Sequence, residues 1–407
     1  MRVWRRYGDA TYALFVLAGF VLQAAALALL TWSFIPAASR LFPAATPSRA
    51  LLAALLLTTT ALLGIVGFIL GYHVIGARRQ ARRAADVQAW TERWTGVVFG
   101  AEAPEGPLPP MALEGLLEVR DKLRGGQARA IDQLFERYWH RDVLIRPLRS
   151  RRLVRRLDAL DRLARARLAF TFFPVLRETD EADARTRGMA LRAAARTLAL
   201  YPEGPALDEA QEAFAEALDD ERITTGIALE ALMLLEDACS GVAIRLFHDP
   251  TPRWLRWAAI EAAGRLERVD LSIAIAPLVE DLDPEIRAAA LRALHGIRTI
   301  PGAAEQSVRR GLYDDVDFVR VQATRAAELL PFGSVASRMW EMLGDGSWWV
   351  RRTAAETIGG HGTAGAEMLG WAARSHPDRY ARHMAIQFLF DDRRIDLGTA
   401  EQLRQAV

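Results

Sequence analysis

The sequence predicts an all-α protein in two parts, an N-terminal helical hairpin that crosses a membrane and a C-terminal stack of paired helices. Three observations lead to this prediction. Two long uncharged runs lie within the first 76 residues of the 407-residue chain. From Met111 onward, apolar residues recur at helical spacing in segments of about 10–16 residues that end at Gly, Pro or Asp. This later part contains no alternating apolar–polar runs that predict strands.

Charge and cysteine content narrow the class of protein. The net charge is only +2, so no global field favours nucleic acid, and we expect no nucleic-acid partner. Lys122 is the single lysine among 52 basic residues, and Cys239 is the single cysteine. One cysteine excludes an internal disulfide and a multi-cysteine zinc site. Because Cys239 lies in an apolar helical stretch, we expect a buried, inert thiol.

The uncharged runs cover residues 11–35 and 50–75, and each exceeds the ~20 residues that a helix needs to span a bilayer. The connection between them carries three prolines. These features predict a two-span membrane anchor over residues 1–83. A cleaved signal peptide is disfavoured, because the first run is longer than a signal sequence requires and a second run follows at once.

Arginines flank the two runs unequally, and they are concentrated before the first and after the second. The rule that basic residues stay on the cytoplasmic side places both chain termini in the cytoplasm of a bacterial inner membrane. The outer arginines are Arg2, Arg5, Arg6, Arg78, Arg79, Arg82 and Arg83, against Arg40 and Arg49 between the runs.

Three small residues in the second run, Gly64, Gly67 and Gly71, have the spacing of close helix–helix contacts in membranes. Their partner is either the first span or another protein. Residues 84–126 then hold a juxtamembrane helix with Trp90 and Trp94, a proline-rich linker at 103–110 and a lead-in helix. Residues 127–407 form the repeat region and a C-terminal capping helix.

An internal repeat organises this last region. An arginine recurs at intervals of 31–38 residues, once replaced by threonine, and an alanine stands three residues later in all units but the first, which has Asp158. The register residues are Arg155, Arg187, Thr225, Arg256, Arg287, Arg320, Arg351 and Arg382, and the alanines are Ala190, Ala228, Ala259, Ala290, Ala323, Ala354 and Ala385. An acid precedes most of these arginines: Asp183, Asp219, Asp249, Asp283, Asp317, Asp345 and Asp378.

Over roughly residues 127–390 this pattern resembles the HEAT-repeat family of armadillo-like α-solenoids, in the short bacterial form also found in phycobilin lyases. The resemblance implies a right-handed solenoid of about eight helix pairs, because a pair cannot bury its apolar face alone. It also implies an Asp-to-Arg ladder that ties the loops of successive units, which gives the register arginines a structural role. It says almost nothing about function.

Motifs for catalysis are scarce, and the sequence predicts neither cofactor nor metal. No pair of histidines has HExxH spacing, and no phosphate loop is present. Residues 360–365 match GxGxxG, but they follow a helix, so we interpret the glycines as a turn between repeat helices. The pairs Trp254/Trp257 and Trp348/Trp349 flank register arginines, and packing between units is favoured over a ligand site.

The densest charge lies at residues 141–167, with ten arginines. This segment is either a solvated helix face or a surface for anionic lipid headgroups or an acidic partner. The candidate patch residues are Arg149, Arg151, Arg152, Arg155 and Arg156.

The main functional hypothesis is a non-enzymatic adaptor whose solenoid binds a protein, such as an integral-membrane glycosyltransferase of an envelope polysaccharide synthase complex. Positions one and five after each register arginine are expected to face outward on the concave side. They are Trp257, Glu261, Ala288, Arg292, Val321, Arg325, Arg352, Glu356, His383 and Gln387. The alternatives are a solenoid-based enzyme, a lyase or glycosylase, for which the sequence offers no preferred acid, and transport, which the apolar spans disfavour.

Overall fold

The computed structural model describes residues 46–123, 126–139, 141–181 and 183–405, and all of their regular elements are helical. The chain divides into two compact units, Met1–Leu116 and Leu117–Val407. The predicted all-α class is therefore confirmed. The α-helices of the described residues are α1 Thr46–Val98, α2 Pro110–Lys122, α3 Gly126–Tyr138, α4 Arg141–Ile145, α5 Leu153–Ala166, α6 Phe172–Leu176, α7 Ala184–Leu198, α8 Pro205–Leu218, α9 Thr225–Met233, α10 Cys239–Leu246, α11 Arg253–Arg265, α12 Ser272–Ile275, α13 Pro284–Ile297, α14 Gly302–Gly311, α15 Asp317–Ala326, α16 Ala336–Met342, α17 Trp348–Gly360, α18 Gly362–Ser375, α19 Arg379–Asp391 and α20 Leu397–Gln405.

The predicted membrane hairpin receives no support from the part of the chain that the structure describes. Residues 11–35 lie outside that part. Residues 50–75 belong to α1, which continues without a break to Val98 and so also contains the predicted juxtamembrane helix. In the described ranges, no helix combines the length and the apolar character that crossing a membrane demands. Gly64, Gly67 and Gly71 lie on α1, and the surroundings of Gly67 and Gly71 fall outside the described residues.

Two tryptophans fasten the end of α1 to the start of α2. Trp94 is fully buried, and its indole N–H donates to the carbonyl oxygen of Ala112 over 2.8 Å. Gly115 lies so close to α1 that a Cβ there would come within 2.7 Å of the Cβ of Trp90. The proline-rich linker separates the two helices, and Pro110 begins α2, where its missing N–H is not needed.

Eight helices of the described repeat region begin at or near a register position. They are α5, α7, α9, α11, α13, α15, α17 and α19. Each of the first seven packs against the second helix of the following unit. Shorter first helices, several of them broken into 3₁₀ turns, precede most of the second helices. This succession of helix pairs is the arrangement of an α-solenoid, and α20 follows the last pair where a capping helix was predicted.

Alanine sets the spacing between second helices. All seven register alanines are completely buried. Between α11 and α13 the approach is closer still, because a Cβ on Gly264 would lie 2.7 Å from the Cα of Ala293. Large side chains at these positions would force the helices apart, since packed interiors hold little free space. The predicted repeat register is therefore confirmed at the alanine position, which tolerates no larger side chain.

A buried ion pair precedes the repeats and was not anticipated from the sequence. Arg120 is 3% exposed and pairs with Asp132 at 2.9 Å. It also donates to the carbonyl oxygens of Ala128 at 2.9 Å and of Arg167 at 3.3 Å. Burial lowers the pKa of Arg120 and raises the pKa of Asp132. These bonds join α2 and α3 to the left-handed turn that ends α5.

Replacing Ala290 with leucine tests the register. The larger side chain overpacks the contact with neighbouring helices, so the free energy of unfolding should fall by about 1–3 kcal/mol. Denaturant unfolding monitored by circular dichroism measures the change. Ala303→Leu, at an exposed position of α14, is the matched control and should unfold like the wild type. Equal stability of the two variants would show that the register is wrong.

Candidate functional site

The register arginines form a ladder between loops. The guanidinium of Arg287 donates two bonds to the carboxylate of Asp314, at 2.8 and 3.0 Å. Its remaining nitrogen donates to the carbonyl oxygen of Asp281, at 3.0 Å. One planar side chain therefore holds the loop before its own helix and the loop of the next unit, in a bidentate geometry that lysine cannot supply.

The same arrangement repeats in the following unit. Arg320 donates to both carboxylate oxygens of Asp345, each at 2.9 Å, and to the carbonyl oxygen of Asp314 at 2.8 Å. Asp345 in turn accepts the backbone N–H of Ser347 at 2.8 Å. Arg256 pairs with Asp281 through one nitrogen and donates to the carbonyl oxygen of Phe247 at 3.1 Å. It also forms an ion pair with Asp249, one of the expected acids, at 3.6 Å. The predicted ladder is present, so these arginines are structural.

The acids of the ladder differ from most of those expected. Asp345 is the one expected acid that accepts a bidentate pair from a register arginine among the described residues, and the other two ladder acids are Asp281 and Asp314. Asp183, Asp283 and Asp378 instead accept backbone N–H groups at the starts of their helices. The motif holds two acids close together, and loop geometry decides which one caps and which one pairs.

The ladder changes character at its C-terminal end. The position of Asp281, Asp314 and Asp345 is occupied in the next unit by His376, which is buried. Its Nδ1 accepts the N–H of Asp378 at 3.1 Å, so its Nε2 donates to the carbonyl oxygen of Trp340, also at 3.1 Å. Arg351 keeps its bond to the carbonyl oxygen of Asp345, at 2.6 Å, but no carboxylate among the described residues pairs with it. A histidine bond to the first helix of the preceding unit therefore stands where the three units before it have an arginine–carboxylate pair.

The positions expected to face outward divide into three groups. Arg325, Glu356, His383 and Gln387 are exposed, as predicted. Trp257, Arg292, Arg352 and Val321 are half-buried, with Trp257 against the core and Arg352 paired with Glu356 at 2.7 Å. The expectation is wrong for Ala288, which is 3% exposed, and for Glu261, which is 9% exposed. Glu261 bridges Arg265 and Arg292, so it ties adjacent helices together.

Aromatic side chains line the starts of three successive second helices. Trp348 and Trp349 are 48% and 66% exposed, and their rings meet edge to face at 4.8 Å. Phe318 and Tyr380 are exposed at the starts of α15 and α19, two residues before the register arginine, like Trp349. We call Phe318, Trp348, Trp349 and Tyr380 the aromatic edge. The packing interpretation is wrong for Trp348/Trp349, whereas Trp254 and Trp257 do pack against the core.

Two arginines contact Tyr380 of the aromatic edge. The guanidinium of Arg351 lies 5.4 Å from the centre of the Tyr380 ring, and that of Arg379 lies 4.7 Å from it. Arg379 also donates to the Tyr380 hydroxyl at 2.9 Å. Sequence spacing could have located this edge, because an aromatic residue two positions before the register arginine recurs at Trp254, Phe318, Trp349 and Tyr380.

The remaining motifs have structural roles. The chain turns from α17 into α18 at His361 and Gly362, inside the glycine motif as predicted, and Gly362 has a φ of +69°. A Cβ at Gly365 would collide with the carbonyl oxygen of Ile358, so only glycine fits there. Cys239 is fully buried, and burial raises the pKa of its thiol to about 12. The inert thiol expected from the sequence follows from this burial.

An open groove of ≈ 730 Å³ lies between the 3₁₀ turn at Arg177–Asp180 and the end of α8. Its walls are acidic, yet Asp220 is already bonded by the guanidinium and backbone N–H of Arg222. These bonds lower the pKa of Asp220 to about 2. Asp220 is therefore an ionised carboxylate that is already paired within the groove.

Comparisons with known proteins are uninformative about function. No family model and no curated protein matches the chain. Two crystal structures of engineered proteins from the Northeast Structural Genomics Consortium are each 18% identical in sequence. The first has a TM-score of 0.29 and covers 75% of this chain and 77% of its own. The second has a TM-score of 0.23 and covers 62% of this chain and 95% of its own. Such scores carry no argument about this protein.

The Arg320–Asp345 rung predicts a pH dependence. Burial raises the pKa of Asp345, but bonds from Arg320 and the N–H of Ser347 outweigh it, and the net pKa lies below the ordinary 3.8. A lowered folded pKa means that the stabilisation is present above about pH 4 and is lost as the pH falls through the folded value. Asp345→Asn should therefore cost about 2–3 kcal/mol near pH 7 and progressively less in acid.

Unfolding free energies of the wild type and Asp345→Asn between neutral and acidic pH measure this difference. Glu401→Gln, at an exposed position of α20, is the control and should follow the wild type throughout. If the difference in unfolding free energy between Asp345→Asn and the wild type stays constant down to acidic pH, the ionised Asp345 does not stabilise the fold through its pair with Arg320.

Proposed function

We propose that this chain is a HEAT-like right-handed repeat scaffold, tethered to a bacterial inner membrane, that binds a partner protein at the cytoplasmic face. The observation that carries the proposal is the aromatic edge. Exposed tryptophans side by side on a rigid element are uncommon on surfaces without a binding role. Tryptophan, tyrosine and arginine are also the residues that contribute most to binding at protein interfaces.

The ladder supports a binding role for this edge. Arg320 and Arg351 are engaged by the loops beside Phe318 and Trp349, so the starts of α15 and α17 are held in place before any partner arrives. A preorganised surface loses little conformational entropy on binding. The exposed positions Arg325, Glu356, His383 and Gln387 lie further along the same helices and extend the proposed surface with mixed charge.

The membrane tether is proposed from the sequence. The runs at 11–35 and 50–75 and the arginines outside them favour two spans with both termini in the cytoplasm. A scaffold held there meets cytoplasmic segments of integral-membrane proteins at high effective concentration. The proposed partner is such a protein, an integral-membrane enzyme of envelope polysaccharide synthesis being one example.

A topology experiment tests the tether. Alkaline phosphatase, which is active only after export, and green fluorescent protein, which fluoresces in the cytoplasm, are each fused after Val407. The flanking arginines predict fluorescence in the membrane fraction that resists carbonate extraction, and no phosphatase activity. Phosphatase activity at this end would reverse the orientation, and extraction by carbonate would remove the tether.

Truncating the aromatic edge tests partner binding. The double variant Trp348→Ala/Trp349→Ala should retain wild-type stability, since both side chains are exposed. Loss of two interface anchors should weaken partner binding by about 30-fold or more, the equivalent of roughly 2 kcal/mol. Cross-linked co-purification from native membranes, quantified by mass spectrometry, identifies the partners and measures their loss.

Trp371→Ala is the matched control. Trp371 is also an exposed tryptophan, at 59%, but it lies on the first helix α18 and stacks on Trp340 at 4.4 Å. It should leave the partner set unchanged. If both variants retain every partner of the wild type, the aromatic edge is not the binding surface.

A further inference from the structure

Five arginines cluster in one exposed turn at the start of the repeat region. Arg146 and Arg149 lie three residues apart on a 3₁₀ turn, which places them on the same side. Two more follow in the loop, and Arg155 lies in the first turn of α5. All five are exposed, and within the described ranges none of them is part of an ion pair. We call Arg146, Arg149, Arg151, Arg152 and Arg155 the arginine turn.

Acids near the arginine turn are engaged elsewhere. Asp158 pairs with Arg162 at 3.4 Å. Glu181 pairs at 3.0 Å with Arg156, which is half-buried and so leaves the patch to which the sequence assigned it. Asp142 on α4 and Asp161 on α5 are exposed acids on the two sides of the turn along the chain, too few to balance five arginines. Five positive charges in ten residues are therefore left largely uncompensated.

The backbone adds to the positive potential. Arg152 occupies the N-cap of α5 and makes no side-chain capping bond, and the first turn contains no acid. The N-terminus of a helix carries partial positive charge, so arginines there are unfavourable unless an anion is present. Phosphate groups are suitable anions, because they accept bonds from both guanidinium groups and free backbone N–H groups.

Apolar side chains flank the charges. Val154 is 78% exposed and Val143 is 60% exposed, one on each side of the 3₁₀ turn. Exposed valines make no favourable contact with the phosphate backbone of a nucleic acid. Beside arginines they fit the boundary between lipid headgroups and acyl chains, where apolar residues insert and cations remain at the phosphates.

We propose that the arginine turn binds the anionic headgroups of the inner leaflet and inserts Val154 at their base, as a second membrane contact of the repeat region. The proposal rests on the membrane tether of the proposed function, which keeps this region near the bilayer. It adds a regulatory property, since binding depends on the anionic lipid content and is screened by salt.

The test places a fluorescent reporter in the turn of the full-length chain. Val154→Cys is labelled with an environment-sensitive maleimide, and the native Cys239 does not interfere because it is fully buried. The labelled protein is reconstituted in nanodiscs of phosphatidylcholine, with or without about one-third phosphatidylglycerol. We expect emission to rise roughly threefold in the anionic discs only, and to return to baseline in about 1 M NaCl, where the Debye length is about 3 Å.

Three variants isolate the cause. Changing all five arginines to glutamine should abolish the rise, and changing them to lysine should retain most of it, because headgroup attraction depends on charge. Ile273→Cys, 76% exposed on α12, is the control position and should report no change. Thermal melting checks that each variant is folded.

Equal emission in both kinds of disc would overturn the proposal, as would a rise in the glutamine variant. A rise produced in detergent by RNA or by polyglutamate, without one in anionic discs, would assign the turn to another acidic partner and also overturn it. Failure of the membrane tether has a different outcome. Without the tether the chain would leave the nanodiscs in high salt, while the fluorescence in low salt would still report on the arginine turn.

Discussion

The guanidinium groups of Arg256, Arg287 and Arg320 each bond two loops at once, and the geometry of the repeat region depends on this. Arg287 and Arg320 each hold a carbonyl oxygen of their own loop and both carboxylate oxygens of the next. Planar, bidentate bonding fixes direction as well as distance, so a rung restricts the rotation of one unit against another. The pairs are largely shielded from water, with side-chain exposures of 18%/12% and 15%/10%, and are less screened than ordinary surface pairs.

The ladder and the buried alanines constrain the helices at different places. Rungs hold the N-terminal ends of second helices, while alanines such as Ala290 and Ala323 let their middles approach. Neither alone would specify the stack, because alanine packing has little directional preference and a rung constrains only a loop. Since the helix starts are held in this way, aromatic residues in the first turns can be exposed without losing their position. Because of this rigidity, we propose the aromatic edge as the binding surface.

Departures from the repeat coincide with distinctive features. The unit that begins with Thr225 lacks a register arginine, and its loop is closed instead by Arg222 on Asp220. At the other end, His376 replaces the acid of a rung, four residues before Tyr380 of the aromatic edge. The first unit has Asp158 where the others have alanine, and it carries the arginine turn. The arginine turn and the part of the aromatic edge at Tyr380 therefore lie where the repeat is less regular, as expected if local rules are relaxed for function.

The sequence by itself determined the helical class, the repeat register, the buried alanines, the inert Cys239 and the glycine turn at 360–365, because each follows from spacing along one chain. The membrane hairpin and the protein partner remain predictions. Only the tertiary structure decided which acid pairs with each arginine, that Glu261 and Ala288 are buried, and that Trp348 and Trp349 are exposed while Trp257 is packed. Those outcomes depend on the path of the loops and on how far each first helix extends, and contacts between residues about 25–40 apart in sequence are not encoded by helical periodicity.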